Sequence, residues 1–441
     1  IVTEAASRGA EGNDPIAIIL LEGPGTVVLR VDDRAGTGSA TDGGDESARP
    51  ARLLGPLLRV EGPASVRLIR HGRSGHRTEV VARRRGDDVR TSTKAPPARA
   101  AAVEPAPDDA PVEIRFLQPE EAVSLADCVC RCYGGDYALE WVYEPRAVAE
   151  RLRCGVMRSV VGVAEDGQLV GHLGLNFDSI GARTAEAGQA IVDPRYRGHH
   201  LFTSLKRFAA QWGREARLLG LLSEETAAHP YSQAANVALG AHEMGLLLGY
   251  IPAAVNDRVI GRNSSGLRHA VTLYYLATGR GEPATVHLPS PHERIVRRIL
   301  DAGGFDVVEA GGSAGLSHAS SRIGVAVDRE LSQAVVSIEA AGADLHDAIR
   351  AHQRALCEAR VDCIYLDLPL ANPATPAAIN AIDGLGFFFG GILPYRRHDG
   401  HVLRLQCLNG VTVRRDDIAV ASDLGAELRD LVCDACASSA A

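Results

Sequence analysis

A turn rich in arginine and histidine leads into a helix-like pattern in the stretch IVDPRYRGHHLFTSLKRFAAQW, residues 191–212. Apolar Ile191 and Val192 precede the turn. The first N–H groups of a helix have no intrahelical acceptor, and the helix dipole favours anions there. Arg197 adds a fixed positive charge, and Gly198 lets the backbone approach a ligand closely. The stretch therefore predicts a phosphate or pyrophosphate site, with a plain solvated turn as the alternative interpretation.

A second group of reactive side chains follows the apolar segment LLGLLS. Glu224 and Glu225 come at its end, and His229 comes shortly after them. Each is a candidate general base, and the ordinary pKa of histidine already lies near neutrality. Tyr231 is a candidate proton donor and Ser232 a candidate hydrogen-bond partner for a ligand. An ordinary turn histidine, a surface or packed tyrosine and a helix-capping serine are the alternatives.

Hydrophobic periodicity and composition divide the chain into five parts. Residues 1–85 are predicted as two β-hairpins with a short helix, RLLGPLLRV, and residues 86–111 are a linker rich in proline and alanine. Residues 112–253 combine strands and helices, residues 254–270 are a connector, and residues 271–441 show a similar order of elements. The chain is thus predicted to be a multidomain protein of the α+β and α/β classes.

The first α/β unit contains both groups of reactive residues. Its predicted elements are strand VEIRFLQ, helices PEEAVSLADCVCRCY and EPRAVAERLRC, a hairpin about Asp166-Gly167, strand EAGQAIVDP, helix 201–215, strand LLGLLSEET, helix 231–243 and the segment LLLGYIP. Gly249 and Pro252 recur as Gly391 and Pro394, which indicates an old duplication. The arginine turn therefore lies between a strand and a helix, as a phosphate site of this kind requires.

The composition excludes several classes of function. Hydrophobic residues make up 46% of the 441 residues, so the chain can bury ordinary cores. Acidic residues outnumber basic ones by 55 to 47, so no nucleic-acid partner is expected. The sequence has no signal-peptide pattern and no apolar run long enough to span a membrane, so a cytoplasmic location without membrane partners is expected. The nine cysteines favour reduced thiols, and neither DCVCRCY nor CDAC has the second ligand pair of a metal site.

The order of elements across residues 112–253, together with VDPRYRGHHLFTSLKRFA, resembles the GNAT superfamily of acyl-CoA-dependent N-acyltransferases. In that family a Q/R-x-x-G-x-G/A loop binds the CoA pyrophosphate. The resemblance places this loop on Arg197, Gly198, His199, His200, Leu201 and Phe202. His200 and Phe202 depart from the small residues of the family. A histidine costs about 1 kcal/mol if position 200 needs a positive φ, and Phe202 is expected to pack inward with Leu205 and Phe208.

The resemblance implies acetyl-CoA, or another acyl-CoA, as co-substrate and an amine of a small molecule or a peptide as acceptor. The residues expected to bind CoA are Ile191, Val192, Arg197, Gly198, His199, His200, Leu201 and Ser232. The residues expected to act in catalysis are Glu225, His229 and Tyr231, and no metal is expected. Asn236 stands where many members have the tyrosine that protonates the leaving thiolate. Residues 271–441 lack the Arg-x-x-Gly pattern, so this second GNAT-like lobe is expected to wall the acceptor pocket.

Residues 1–85 resemble the histidine-kinase-like ATPase domains of bacterial anti-sigma regulators, an α/β sandwich. Glu4 matches a motif residue of that family, but Arg8 stands at the Mg²⁺-binding asparagine. Arginine cannot ligate Mg²⁺, so ATP binding is not expected, and a degenerate module that docks a protein partner is the better interpretation. Two functions follow for the chain: an acyl-CoA-dependent N-acyltransferase, or a non-catalytic regulatory protein that senses acyl-CoA.

Overall fold

The computed structural model of the chain describes residues 105–439, with gaps at 108–109, 134–136, 138, 254–266 and 313. Within residues 1–104 it describes the backbone of five strands. The chain forms two compact units, residues 1–102 and residues 103–441.

The first unit contains an antiparallel sheet with the strand order β1-β2-β3-β5-β4. Its strands are β1 (Thr3–Arg8), β2 (Pro15–Gly23), β3 (Thr26–Asp33), β4 (Ser65–His71) and β5 (Gly75–Arg83). The two predicted hairpins are present as the pairs β2–β3 and β4–β5. Glu4, matched above to an ATPase motif, lies in β1 opposite Ile19. The predicted helix RLLGPLLRV lies outside the described residues, and the ATPase-like character of residues 1–85 stays a prediction.

The first half of the second unit follows the predicted order of elements. Its elements are β6 (Val112–Phe116), α1 (Ala122–Tyr133), α2 (Pro145–Cys154), β7 (Met157–Ala164), β8 (Leu169–Asn176), β9 (Thr184–Val192), α3 (Leu201–Glu215), β10 (Gly220–Thr226), α4 (Tyr231–Ala238), β11 (His242–Ile251) and β12 (His269–Ala277). The predicted helix 231–243 is too long. It ends at Ala238 because Gly240 adopts a left-handed φ of 85°, which terminates helices, and β11 begins two residues later.

The second half consists of eleven further helices and strands among the described residues. These are β13 (Ala284–Val286), α5 (Glu293–Ala302), β14 (Val307–Glu309), β15 (Arg322–Asp328), β16 (Gln333–Ala340), α6 (Leu345–Glu358), β17 (Cys363–Pro369), α7 (Thr375–Ala381), β18 (Phe388–Arg397), β19 (Gly400–Leu408) and α8 (Asp423–Ser439). Strands β13 and β14 form a separate parallel pair. The closing helix α8 has no counterpart in the sequence-based prediction.

One mixed sheet of 12 strands runs through the second unit, in the order β15-β16-β17-β19-β18-β11-β12-β10-β9-β8-β7-β6. Strand β12 lies between β10 and β11 and is antiparallel to both. The predicted boundary at residue 271 therefore falls inside a strand of the first half of this sheet. In the second half β19 lies in the same way between β17 and β18. The two halves thus repeat one pattern of strand pairing.

The innermost strands of the two halves, β11 and β18, carry bulges at equivalent places. One bulge lies between Glu243 and Gly245 in β11, and its counterpart lies between Phe389 and Gly391 in β18. Gly245 and Gly391 also pair directly across the junction of the halves. By the position of the bulges, Gly391 in the second half corresponds to Gly245 in the first half. The repeat seen in the sequence had instead made Gly391 correspond to Gly249.

Helix α3 packs closely on the sheet because its apolar residues recur every four positions. Leu201, Leu205 and Ala209 are buried against strands β7–β10. Gly171 of β8 lies directly beneath the first two leucines, where a Cβ would come within 3.1 Å of each of them. The missing side chain lets the helix approach the sheet, and this fixes the position of its N-terminus.

We expect Gly245→Ala to destabilise the second unit. A Cβ at this position would overlap the Gly390 carbonyl oxygen and the Gly391 Cα, which are backbone atoms that cannot rotate away. Overpacking of this kind costs roughly 1–3 kcal/mol, measurable as a lower midpoint of urea unfolding. Gly311→Ala is the matched control, since nothing lies near its added methyl group. Equal stability of the two variants would contradict close packing of β11 against β18 at Gly245.

Candidate active site

The turn before α3 is organised by one buried carboxylate. Asp193 is 2% exposed and accepts hydrogen bonds from the Arg195 backbone N–H at 3.0 Å and from the Arg195 guanidinium Nε at 2.9 Å. Arg195 Nη2 donates to the same carboxylate at 2.9 Å, and Arg131 Nε of α1 adds a fourth hydrogen bond at 3.3 Å. Burial disfavours the charged form, but the hydrogen bonds from Arg195 still hold the pKa of Asp193 below its ordinary value. Arg195 thus fixes the shape of the turn. Arg197 lies after this fixed part, between the turn and the start of α3.

The turn leaves the N-terminus of α3 uncapped. Gly198 has a φ of 88° and nothing lies within 4 Å of an added Cβ. His200, the residue before α3, has a φ of 58°, makes no side-chain cap and is exposed. The first intrahelical bond runs from the Ser204 N–H to the His200 carbonyl at 3.0 Å, so the preceding N–H groups have no helical acceptor. The histidine therefore occupies a left-handed position without filling the turn.

Phe202 does not join the buried face of α3, contrary to the sequence-based expectation. Leu201 is 5% exposed and begins that face, whereas Phe202 is half-buried beside it. The Lys206 ammonium lies 5.4 Å from the Phe202 ring centroid, within the range of a cation–π contact. Phe202 thus covers the ammonium group of Lys206.

Strands β9 and β10 separate just after they begin. Their parallel register covers only Thr184–Gly220, Ala185–Leu221 and Glu186–Leu222, although β9 continues to Val192 and β10 to Thr226. Gln189 of β9 has a φ of 54° at the register shift against β8. The strands therefore open into a wedge, which exposes one edge of β9, including the backbone that leads through Ile191 and Val192 to the arginine turn.

Glu225 lies in a closed polar cluster beneath this wedge. The Lys206 ammonium donates to Glu225 Oε1 at 2.8 Å, to Ser223 Oγ at 2.6 Å and to Asn236 Oδ1 at 2.5 Å. Asn236 Nδ2 also donates to Glu225 Oε1, at 2.8 Å. Lys206 is 1% and Glu225 8% exposed. Three acceptors satisfy the three donors of the ammonium, so the cluster is a self-contained buried ion pair.

These contacts do not support the expected role of Glu225 as a general base. Burial disfavours its carboxylate, but the Lys206 ammonium holds the pKa of Glu225 below its ordinary value, so it stays ionised and bound. His229 and Tyr231 pack on each other with ring centroids 5.0 Å apart, and Tyr231 is 74% exposed. Ser232 does not cap α4, and its carbonyl accepts from Asn236 Nδ2 at 2.9 Å.

The neighbouring Glu224 points the opposite way, because successive side chains of a strand alternate between its faces. It lines a cavity of about 570 Å³ together with Glu186 of β9. The other polar residues of the wall are Tyr250, Asp328, Arg329, Glu330, Gln333, Tyr365, Arg396 and Arg404. Both halves of the sheet therefore contribute to one pocket, and its two glutamates stand where β9 and β10 diverge.

Both glutamates of this pocket have pKa values above the ordinary value of a glutamate. Burial, and then the negative charge of Glu224, raise the pKa of Glu186 to about 8. Burial is also the main cause that raises the pKa of Glu224, and Tyr250 offsets part of it by a hydrogen bond. Glu186 Oε1 lies above Gly188, where an added Cβ would approach it to 2.7 Å. Gly188 therefore leaves room for the carboxyl group of Glu186 on the face of β9.

Two of the three arginines of the pocket, Arg396 and Arg404, are each held by an aspartate. Arg404 donates to Asp367 at 2.7 and 2.8 Å, and Arg396 lies 2.7 Å from Asp178. Neither Glu186 nor Glu224 forms an ion pair within the described residues. The charges of Arg396 and Arg404 are therefore balanced, and the two glutamates add negative charge to the pocket when they are ionised.

Sequence reasoning identified Glu224 as a candidate but did not identify Glu186, Tyr250 or Tyr365. The sequence did contain a hint of Glu186, because it is the one charged residue in the strand TAEAGQAIV. The tyrosines come to the pocket from β11 and β17, and no local pattern links them to β9.

Residues 123–238 match the family described as Acetyltransferase (GNAT) family. Among solved structures the chain is similar to a ribosomal-protein-S5-alanine acetyltransferase from Vibrio fischeri, with 14% identity over 39% of this chain and 96% of that chain and a TM-score of 0.32. It is also similar to a spermidine/spermine N-acetyltransferase from Vibrio cholerae, with 16% identity over 39% and 94% and a TM-score of 0.31. No curated protein matches the chain significantly.

In the described part of the chain, no group of three or more histidine, cysteine, aspartate or glutamate side chains is arranged to hold a metal ion. No helix within the same residues combines the length and apolar character needed to cross a membrane.

We expect Lys206→Met to destabilise the protein strongly, because it leaves the Glu225 carboxylate buried without its cation. Breaking one side of a buried pair costs about 3–5 kcal/mol, which urea unfolding followed by circular dichroism would measure. The double variant Lys206→Met/Glu225→Gln removes both charges and should recover part of this loss. If Lys206→Met were as stable as the wild type, Lys206 and Glu225 would not form the buried, self-contained ion pair described above.

Proposed function

We propose that the protein is an acyl-CoA-dependent N-acyltransferase, with acetyl-CoA as the simplest donor and an amine as acceptor. The observation that carries the proposal is the pair Glu186 and Glu224, which lines a pocket at the point where β9 and β10 separate. The GNAT match over residues 123–238 supports the same class of reaction. We find no observation that specifically favours the non-catalytic alternative.

The donor would bind along the wedge and at the start of α3. An extended chain with amide groups can pair with the open edge of β9 in the way a further strand would. The N–H groups at the start of α3 and the positive charge of Arg197 suit a pyrophosphate, and Gly198 has open space above it. These features support the roles predicted for Ile191, Val192, Arg197, Gly198, His199, His200 and Leu201. The position of Ser232, at the start of α4, adds no support for its predicted role in binding CoA.

Glu186 is the general base in this proposal. An amine must lose a proton before it attacks a carbonyl carbon, and a carboxylate with a pKa of about 8 is matched to that task near neutral pH. The neutral nitrogen attacks the thioester carbonyl, the C–N bond forms, the C–S bond breaks to release the thiolate, and the second nitrogen proton passes to that thiolate. Asn236 has no acidic proton to give to the leaving group. A thiol has an ordinary pKa of about 8.5, so the thiolate can leave without a dedicated acid.

The second half of the sheet is proposed as a GNAT-like lobe that shapes the acceptor site. Its helix α6 begins after Asp344 and carries Asp347 in its first turn, so negative charge stands where an anion would bind. Its strands supply Tyr365, Arg396 and Arg404 to the pocket. For residues 1–85 we retain the proposal of a degenerate ATPase-like module that docks a protein partner, and for the whole chain a cytoplasmic location.

We expect Glu186→Gln to lower kcat/KM for a reactive amine by at least about 100-fold, because the amide cannot accept the proton. In the wild type, kcat/KM should rise as the pH passes through about 8, where Glu186 becomes a carboxylate, and this rise should be absent in the variant. Thiol release from acetyl-CoA with a mixed panel of primary amines is the measurement. Glu282→Gln, an exposed change outside the pocket, is the control.

Thermal melts with acetyl-CoA accompany this experiment, since a specific ligand raises the Tm by mass action. Wild type and Glu186→Gln should both show the rise, because the variant keeps the donor site. The absence of any rise at millimolar acetyl-CoA in the wild type would contradict the proposed function. An unchanged kcat/KM in Glu186→Gln would contradict only the role of Glu186 as the general base.

A further inference from the structure

One buried hydroxyl group in the wall of the pocket has no hydrogen-bond partner. Tyr365 of β17 is 1% exposed, and its Oη finds no partner within the described residues. An unpaired buried hydroxyl is costly, so such groups are uncommon unless a ligand or water completes them. Since Tyr365 lines the cavity that contains Glu186 and Glu224, a bound molecule is placed to supply the missing partner.

The surroundings of this hydroxyl are polar but electrically balanced. The Arg404 guanidinium lies 5.1 Å from the centroid of the Tyr365 ring and is held by Asp367 in two hydrogen bonds. Arg396, the other arginine on this part of the wall, is paired with Asp178. Because both guanidinium groups already have a carboxylate, the wall around Tyr365 favours a neutral hydrogen-bonding group over an acidic one.

Another part of the same wall is suited to an amine. Glu186 and Glu224 form no ion pair within the described residues, and an ammonium group would supply the missing positive charge. Tyr250 lies near both groups, since it interacts with Glu224 and its ring centroid is 6.2 Å from that of Tyr365. The two glutamates and the hydroxyl group of Tyr365 are therefore close enough for a short carbon chain to span.

The hairpin turn between β15 and β16 lines one side of this cavity. Asp328 at the end of β15 and Leu331 of the turn belong to the wall. Arg268 holds the turn by donating to the Leu331 carbonyl at 2.7 Å and to the Tyr250 carbonyl at 3.0 Å. Gln333 donates to the same Tyr250 carbonyl at 2.7 Å. A fixed wall on this side favours a compact molecule over a peptide, whose chain would have to continue past the turn.

We propose that the acceptor is a small hydroxylated primary amine, with its ammonium group at Glu186 and Glu224 and its hydroxyl group at Tyr365 Oη. This proposal rests on the proposed N-acyltransferase function and names the substrate class of that site. It makes Tyr365 a residue that determines specificity through a contact with the substrate.

The test uses the full chain, acetyl-CoA and matched pairs of amines. The probes are the straight-chain amino alcohols from 3-aminopropan-1-ol to 6-aminohexan-1-ol, the alkylamine of each length, 5-aminopentanoate, 1,5-diaminopentane and a short lysine-containing peptide. We expect the best amino alcohol to exceed its alkylamine about five- to tenfold in kcat/KM, the value of one hydrogen bond. Tyr365→Phe should remove this preference, by lowering kcat/KM more for the amino alcohol than for the alkylamine of the same length.

Tyr275→Phe is the matched control, because Tyr275 is also buried with an unpaired hydroxyl group but lies outside this pocket. It should keep the preference for the amino alcohol. A preference that survives in Tyr365→Phe would overturn the proposal. So would highest activity on the peptide, the amino acid or the diamine, or acetyl-CoA binding without turnover of any amine in the panel. A wild type that does not bind acetyl-CoA would instead overturn the N-acyltransferase function itself.

Discussion

The early separation of β9 and β10 is the constraint on which the rest of the site depends. The two strands pair for three residues and then diverge, while β9 stays bound to β8 through a register shift at Gln189. An unpaired backbone edge inside a protein needs a partner, and for this reason the proposal places an extended polar chain in the wedge. The same divergence puts Glu186 and Glu224 at the wall of one pocket and leads β9 directly into the turn before α3.

Burial disfavours the charged form of both adjacent glutamates of β10, yet their pKa values shift in opposite directions. Glu225 faces Lys206, and the ammonium group keeps it ionised in a closed cluster that supports the wedge. Glu224 faces the pocket without a cation in contact, so desolvation raises its pKa; desolvation, and then the charge of Glu224, also raise the pKa of Glu186. A single strand thus supplies one carboxylate to a closed cluster and one to the pocket, since alternate side chains point to opposite faces.

The sequence predicted the elements that have strong periodicity or clear turn residues. Helix 201–215 and the turn at Gly198 were predicted correctly, because apolar spacing and glycine act locally. The choice between Glu224 and Glu225 depended on which face of β10 meets Lys206, and adjacent residues in a strand do not reveal this. Glu186 and Tyr365 depended on pairing between distant segments, and the end of α4 depended on a left-handed Gly240.

The most direct test of the account is the free energy of unfolding of the wild type and Glu186→Gln as a function of pH. A carboxyl group whose pKa is 4.5 when unfolded and about 8 when folded binds more protons in the native state between these values, so stability falls as the pH rises through this window. The account predicts that the wild type loses stability relative to Glu186→Gln from about pH 5 to pH 8. Parallel curves across that range would contradict the raised pKa of Glu186 on which its role as the base depends.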